Sequence, residues 1–316
     1  MLGKKCILYR YVLVMILSVI LVTLFSFLLM RLSPIDPATA YVMRSSAIVT
    51  QEQVSEARVL IGMDKPFVVQ YFIWFKNVMK GDLGISLSTG QPVLMELSKA
   101  VPVSFRVVGL SAVLMAVGAI VFGSIQYLTK DKFSEKLFRS LAIVAVSVPS
   151  FYIAILFISS VIYQSESLSI TGSSGVMRYF PSAVCLAVSG VGFYSQMVVK
   201  RLKEEMSSDY IFFAACRGIP ELKLLISHAL PGVIVDLVPS FAQMVGLILA
   251  GAVVVERVFS LPGFGNLIIE SVIKRDTPVI HGSVLVLAVT LLVLNFIAEM
   301  TQHYFGGQGN TKEVRL

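Results

Sequence analysis

The sequence predicts an all-α fold: a polytopic membrane protein with six transmembrane helices. Three observations predict it. Of its 316 residues, 56% are hydrophobic and only 14% are charged, whereas soluble domains run near 25% charged and about 45–50% apolar. Apolar stretches of about 20 residues, the length that crosses a hydrocarbon core of about 30 Å, recur six times. The basic residues sit beside those stretches, the pattern that orients spans in a bilayer. A net charge of +7 distributed in this way implies membrane lipid as a neighbour and no nucleic-acid partner.

The first stretch runs from Tyr11 to Met30, behind Lys4, Lys5 and Arg10. Its apolar core is too long for a cleaved signal peptide, and no small-x-small site precedes Arg31-Leu32-Ser33-Pro34. Residues 1–31 therefore read as an uncleaved signal-anchor helix. Residues 32–106 form a loop of about 75 residues, too long for plain connection. Within it Gln51–Ile61 has helical spacing, with Thr50 as N-cap and Gln53 in the capping-box position. Gln70–Met79 reads as a second amphipathic helix bearing the only tryptophan, Trp74, and Gly81-Asp82-Leu83-Gly84 reads as a turn. The segment is predicted to be a small subdomain on the outer face.

Residues 107–303 form the core, with spans at Val107–Leu128, Leu141–Tyr163, Pro181–Val199, Leu237–Val255 and Val279–Ile297. The loop after the second span carries Lys130, Lys132, Lys136 and Arg139. The loop after the fourth carries Lys200, Arg201, Lys203, Arg217 and Lys223, while Gln164–Phe180 holds only Arg178. The positive-inside rule then places the N-terminus, both basic loops and the tail 304–316, with Lys312 and Arg315, in the cytoplasm. Long loops translocate largely regardless of charge, so 32–106 lies outside. The expected location is the cytoplasmic (inner) membrane, multi-pass.

The fourth loop, 200–236, is mixed rather than simply polar. Asp209 can cap a short helix through Phe213 and Arg217. Gly218 ends it, and Pro220 can open another at its first position. Two short helices with a sharp bend read as a docking surface for a cytoplasmic partner. An amphipathic segment resting on lipid is the plainer alternative.

No catalytic constellation is present, and the chain is predicted not to be an enzyme. His228, His281 and His303 are far apart, and Cys6, Cys185 and Cys216 have neither disulfide nor metal-knuckle spacing. No metal or cofactor site is expected, and the sequence has no P-loop. Arg106, Asp236, Glu256, Arg257 and Glu299 lie near predicted span ends. An ion-coupled carrier usually places ionisable groups near mid-membrane, so their scarcity there points to an energy source in another subunit. Gln126, Gln196, Gln243 and Asn295 are candidates to line a polar passage. For each alone, interhelical hydrogen bonding is the plainer role.

Short motifs in a fixed order carry a resemblance over nearly the whole chain. They are Asp36-Pro37-Ala38, Gly62-Met63-Asp64-Lys65-Pro66, Gln70-Tyr71, Trp74, Gly81-Asp82-Leu83-Gly84 and Ser86. Pro149-Ser150-Phe151-Tyr152 with Ala154, then His228-Ala229-Leu230, follow. The densest block is Glu256, Phe259-Ser260, Pro262-Gly263, Gly265, Arg275-Asp276, Pro278-Val279-Ile280 and Gly282. In these the chain resembles the permeases of dipeptide, oligopeptide and nickel ABC importers, specifically the first of their two permease subunits.

The resemblance implies a type I ABC importer permease fold. It implies a homologous second permease, two cytoplasmic ATPase subunits that use ATP, and an extracytoplasmic substrate-binding protein. It also implies a docking motif of Glu-Ala-Ala, three residues, then Gly. Ala214 and Gly218 fit that motif, while Phe212 and Phe213 replace the Glu and first Ala. The expected docking residues are Tyr210, Phe212, Phe213, Ala214, Ala215, Arg217, Gly218 and His228, with an apolar side formed by Ile211, Phe212, Ala215 and Leu222. Nickel or metal chelates are the expected solute, from the Gly-Met-Asp-Lys-Pro and Arg-Asp-x-Pro-Val-Ile runs, with di- or oligopeptides as the alternative. His281, near the outer end of the sixth span, could touch a metal ligand, although a lone histidine is more often an interfacial hydrogen bonder. An ATP-independent secondary carrier is the alternative of another class.

Overall fold

The computed structural model describes residues 2–32, 36–45, 48–129, 132–164 and 175–305. The regular structure among them is helical, with one isolated bridge between Ile85 and Pro92. The predicted tail lies outside the described residues from 306 onward, as do Lys130 and most of the Gln164–Phe180 loop. The chain divides into two compact units, Met1–Val103 with Pro262–Val293, and Ser104–Leu261 with Leu294–Leu316.

The first unit begins with α1 (Leu2–Arg31). Thr23, Ser26 and Phe27 share one face of it by their spacing, and all three are buried. The Thr23 hydroxyl lies 3.0 Å from Tyr71 Oη, and Ser26 Oγ lies 3.0 Å from His281 Nδ1. The Phe27 ring stacks on the His281 imidazole at 3.7 Å between centroids. α2 (Pro37–Ser45) packs on α3 (Gln51–Leu60) through Ala38, Val42 and Ala57. The predicted capping box is formed: the Gln53 N–H donates to Thr50 Oγ1, and the Thr50 N–H donates to Gln53 Oε1. α4 (Phe67–Val78) carries Tyr71 and Trp74. The unit also takes the start of α5 (Val93–Leu128), all of α12 (Phe264–Ile273), and the start of α13 (Thr277–Phe305).

The sequence places the second span at Val107, yet α5 begins 14 residues earlier, at Val93. Apolar length reports lipid exposure, whereas this first part is amphipathic. Val93, Leu97 and Ala100 recur at helical spacing and bury against Leu83, Phe264 and Val279.

In the second unit α8 (Phe180–Met206) is the most enclosed span. Glycines let neighbouring helices approach it. A Cβ on Gly123 of α5 would stand 2.8 Å from the Ser195 carbonyl oxygen, and one on Gly192 of α8 would stand 2.7 Å from the Ala142 carbonyl oxygen. Ala142 belongs to α6 (Lys132–Ser147).

One span differs from expectation. Leu141–Tyr163 is not one straight helix. α6 and α7 (Ser150–Gln164) meet at a bend of 95° around Val148-Pro149. Proline supplies no N–H and pushes its predecessor out of the helical region. Among the described residues, five helices are long and apolar enough to cross a membrane, and the bent pair makes six when taken as one span.

The fourth loop is also more helical than predicted. α9 (Asp209–Cys216) and α10 (Glu221–Leu224) are followed by a π-helical turn, Leu225–Ala229, and by α11 (Leu230–Val258). Ser208, not Asp209, is the N-cap of α9, and Pro220 is the N-cap of α10 rather than its first helical residue. Gly218 has φ +80°, the left-handed region expected where a helix stops and the chain turns.

Candidate functional site

The α9–α10 corner is held from inside. Ile211, Leu224, Leu225 and Ala229 bury with Val198, Leu202, Val233 and Leu237. Ile211 is only 3% exposed, so it anchors the corner to its own unit and is not on the outward apolar side where the sequence reading put it. What faces out is Phe212, 65% exposed, and Phe213, 62% exposed, with their rings edge-to-face at 6.0 Å. Leu222 adds to this exposed apolar surface, and Ala215, Arg217 and Gly218 are exposed beside it. Ala214 is half-buried and packs on the inner cluster.

Tyr210 and His228 belong to the same corner. The Tyr210 hydroxyl donates to Glu205 and lies 3.4 Å from the His228 carbonyl oxygen. Burial, reinforced by the Glu205 carboxylate, pushes the Tyr210 phenol up to about 12. It therefore stays protonated and remains a donor. His228 is half-buried. Tyr210 is itself exposed, so it braces the corner while part of its ring faces outward.

The four candidate pathway residues separate into two pairs. Gln196 Nε2 donates to Gln126 Oε1 at 2.8 Å, and Gln126 is 3% exposed. This is an interhelical amide pair. Gln243 and Asn295 instead line one polar cavity of about 340 Å³ with Pro239, Ser240, Ala298 and Glu299. Sequence reasoning left Ser240 and Glu299 out of that lining. Their signal was spacing: Ser240 and Gln243 are three apart on α11, and Asn295 and Glu299 four apart on α13, so each pair shares a helix face.

His281 lies elsewhere, in the first unit, 7% exposed beneath Phe27 and paired with Ser26. No group of three or more His, Cys, Asp or Glu residues could hold a metal ion among the described residues. Cys185 is buried and Cys216 exposed, and both are free thiols.

The motifs of the resemblance before residue 90 and after residue 261 lie in that first unit. The Asp276 carboxylate, 1% exposed, accepts from Ser86 Oγ at 2.6 Å, from the Ser88 N–H at 2.9 Å and from the Leu87 N–H at 3.1 Å. A Cβ on Gly84 would lie 3.7 Å from Pro278, and one on Gly282 only 2.9 Å from Val93.

Residues 119–306 match the family described as binding-protein-dependent transport system inner membrane component. The chain belongs to this family. Residues 5–107 match the N-terminal region described for the same membrane components. A peptide transport system permease protein of Brucella abortus is 31% identical over 292 residues, which cover 89% of this chain and 91% of that protein. The metal-staphylopine import system permease protein of Staphylococcus aureus is 29% identical over the same shares of each chain. The dipeptide transport system permease protein of Lactococcus lactis is 28% identical over 90% of this chain and 93% of its own. The solved inward-facing MetNI methionine ABC transporter matches 66% of this permease and 96% of its own chain, with a TM-score of 0.54 at 15% identity. That likeness supports the type I ABC permease fold. The protein is a multi-pass inner-membrane permease of a binding-protein-dependent ABC importer, and it is not an enzyme.

Proposed function

We propose that this permease forms half of a translocation pathway, driven by ATP that two partner ATPases hydrolyse against the α9–α10 corner. The observation that carries this reading is the exposed Phe212–Phe213 pair with Leu222, on a corner clamped from inside by Ile211 and turned at Gly218. An exposed aromatic pair on a rigid short helix is the kind of anchor that fills a groove in a protein partner. A homologous second permease completes the pathway, and an extracytoplasmic binding protein delivers solute to the loop 32–106. The chain itself contributes no cofactor. The polar cavity at Gln243, Asn295 and Glu299 is the part of this chain that solute passes. Substituting Phe212 and Phe213 together by Ser should abolish recovery of tagged ATPase with the permease while leaving the permease in the membrane. Full ATPase recovery and uptake would overturn the reading.

The orientation follows from the basic loops: N-terminus, Ser134, the α9–α10 corner and C-terminus inside, Gln51 and Ser173 outside. Exposed Cys216 offers a native probe. An impermeant maleimide should label it in permeabilised but not intact cells, and labelling in intact cells would reverse the topology.

The solute is a short peptide or an intact metal chelate. The Brucella and Lactococcus relatives support the first. The Staphylococcus relative, equally covered, supports the second, in keeping with the metal-chelate expectation from the sequence. A cavity lined by amides and one carboxylate suits a polar solute carried whole rather than a stripped metal ion. Uptake of radiolabelled dipeptide against chelated nickel in cells expressing the whole importer separates the two.

A further inference from the structure

A second cavity, of about 230 Å³, lies within the first unit and plays no part in the pathway just described. Its walls include the aromatic rings of Phe27, Phe67 and Trp74. Three charged residues line it as well: Arg31, Lys65 and Asp82. All three are exposed, and neither cation has an ion-pair partner among the described residues. Two cations without an ion-pair partner on the wall of one cavity mark a place where an anionic acceptor belongs.

The depth of the cavity narrows what that acceptor is. Arg31 closes the first membrane span, and Thr277, which also lines the cavity, opens the last. The cavity therefore sits where the hydrocarbon core gives way to lipid headgroups. Its charges sum to +1, from two cations and one carboxylate, matching a single phosphodiester. The volume admits about seven or eight water-sized groups at ~30 Å³ each, the scale of a headgroup and not of a whole lipid. The aromatic wall suits the glycerol and first methylenes.

We infer that this cavity binds the phosphate of an anionic membrane phospholipid, with Arg31 and Lys65 on the phosphate oxygens. The site ties α1 to the α3–α4 segment through lipid, beside the direct Thr23–Tyr71 bond.

Full-length permease purified in detergent tests it, with native mass spectrometry counting retained lipid and titrations of short-chain phosphatidylglycerol, phosphatidylethanolamine and inorganic phosphate giving affinities. One phosphatidylglycerol should bind more tightly than phosphatidylethanolamine, and inorganic phosphate should not compete at millimolar concentration. Arg31→Gln with Lys65→Gln should weaken phosphatidylglycerol binding by about tenfold or more. Lys65→Arg, which keeps the charge, should bind as wild type does. Equal affinity for both lipids, competition by free phosphate, or unchanged binding in the double Gln variant would overturn the proposal.

Discussion

Ser86 and Asp276 are 190 residues apart in sequence, and their side chains meet at 2.6 Å in a buried hydrogen bond. With the N–H groups of Leu87 and Ser88, the Ser86 hydroxyl gives the Asp276 carboxylate three donors. The long loop before α5 is thereby fastened to the turn that opens α13. Two backbone donors and a hydroxyl lose their acceptor in Asp276→Ala, at a cost of about 2–4 kcal/mol. Asp276→Asn should fall between, because its NH₂ group faces a donor. Limited proteolysis of the 80–92 segment should accelerate in the order wild type, Asn, Ala. An Ala variant as resistant as wild type would show that the carboxylate does not hold the loop.

Gly218 has φ +80°, and a Cβ there would meet nothing within 4 Å. Any defect on substitution is therefore conformational rather than steric. A β-branched residue in the left-handed region costs on the order of 1–2 kcal/mol. Gly218→Val should move the corner, so that the spans still insert and the protein still accumulates while ATPase copurification and uptake fall together. Gly218→Asn, which tolerates this region better, should restore much of both. Normal ATPase recovery and uptake in the Val variant would remove Gly218 from the docking corner.

Two glycines at the contact of α5 with α8, Gly123 on α5 and Gly190 on α8, should respond differently to the same methyl group. At Gly123 the obstacle is the Ser195 backbone carbonyl, fixed within a helix. At Gly190 it is the side chain of Met115, which has rotamers to spare. Gly123→Ala should lower the melting temperature in detergent markedly, by roughly 2–3 kcal/mol of overpacking strain. Gly190→Ala should cost less, about 1 kcal/mol, at the low end of the overpacking range. The reverse order would mean that α5 and α8 can separate freely at Gly123.

The Gln126–Gln196 pair makes a clean test of a packing role against a pathway role. Gln126→Leu or Gln196→Leu alone leaves a partner amide unmatched, at about 1–3 kcal/mol. The double substitution removes both polar groups and should recover much of that loss, giving a positive coupling in a thermal-stability cycle. Transport by the double variant should stay near wild type. A double variant that is stable but transport-dead would return the pair to the pathway.

The features that local rules govern were legible in the sequence. Thr50 and Gln53 form their capping box because the interaction is reciprocal and three residues long. Gly218 is left-handed because a helix end before Pro220 demands it. The bend at Pro149 was legible by the same kind of rule. The apolar run Leu141–Tyr163 masks it, since hydropathy carries no information about direction. The site was less legible. Gln126, Gln196, Gln243 and Asn295 look alike in sequence, each a lone amide in an apolar helix. Two of them satisfy each other and two face a cavity, and that depends on which helix lies opposite.

By itself the sequence determined the membrane setting, the spans by length and composition, and the basic loops. These follow from free energies summed along the chain: transfer of side chains into lipid, and short-range capping. Only the tertiary structure decided that Ile211 points inward while Phe212 and Phe213 point out, that Glu299 shares a cavity with Gln243, and that Ser86 reaches Asp276. Those facts come from contacts between residues distant in sequence. Their partners are set by helix rotation and close glycine packing, which no local pattern encodes.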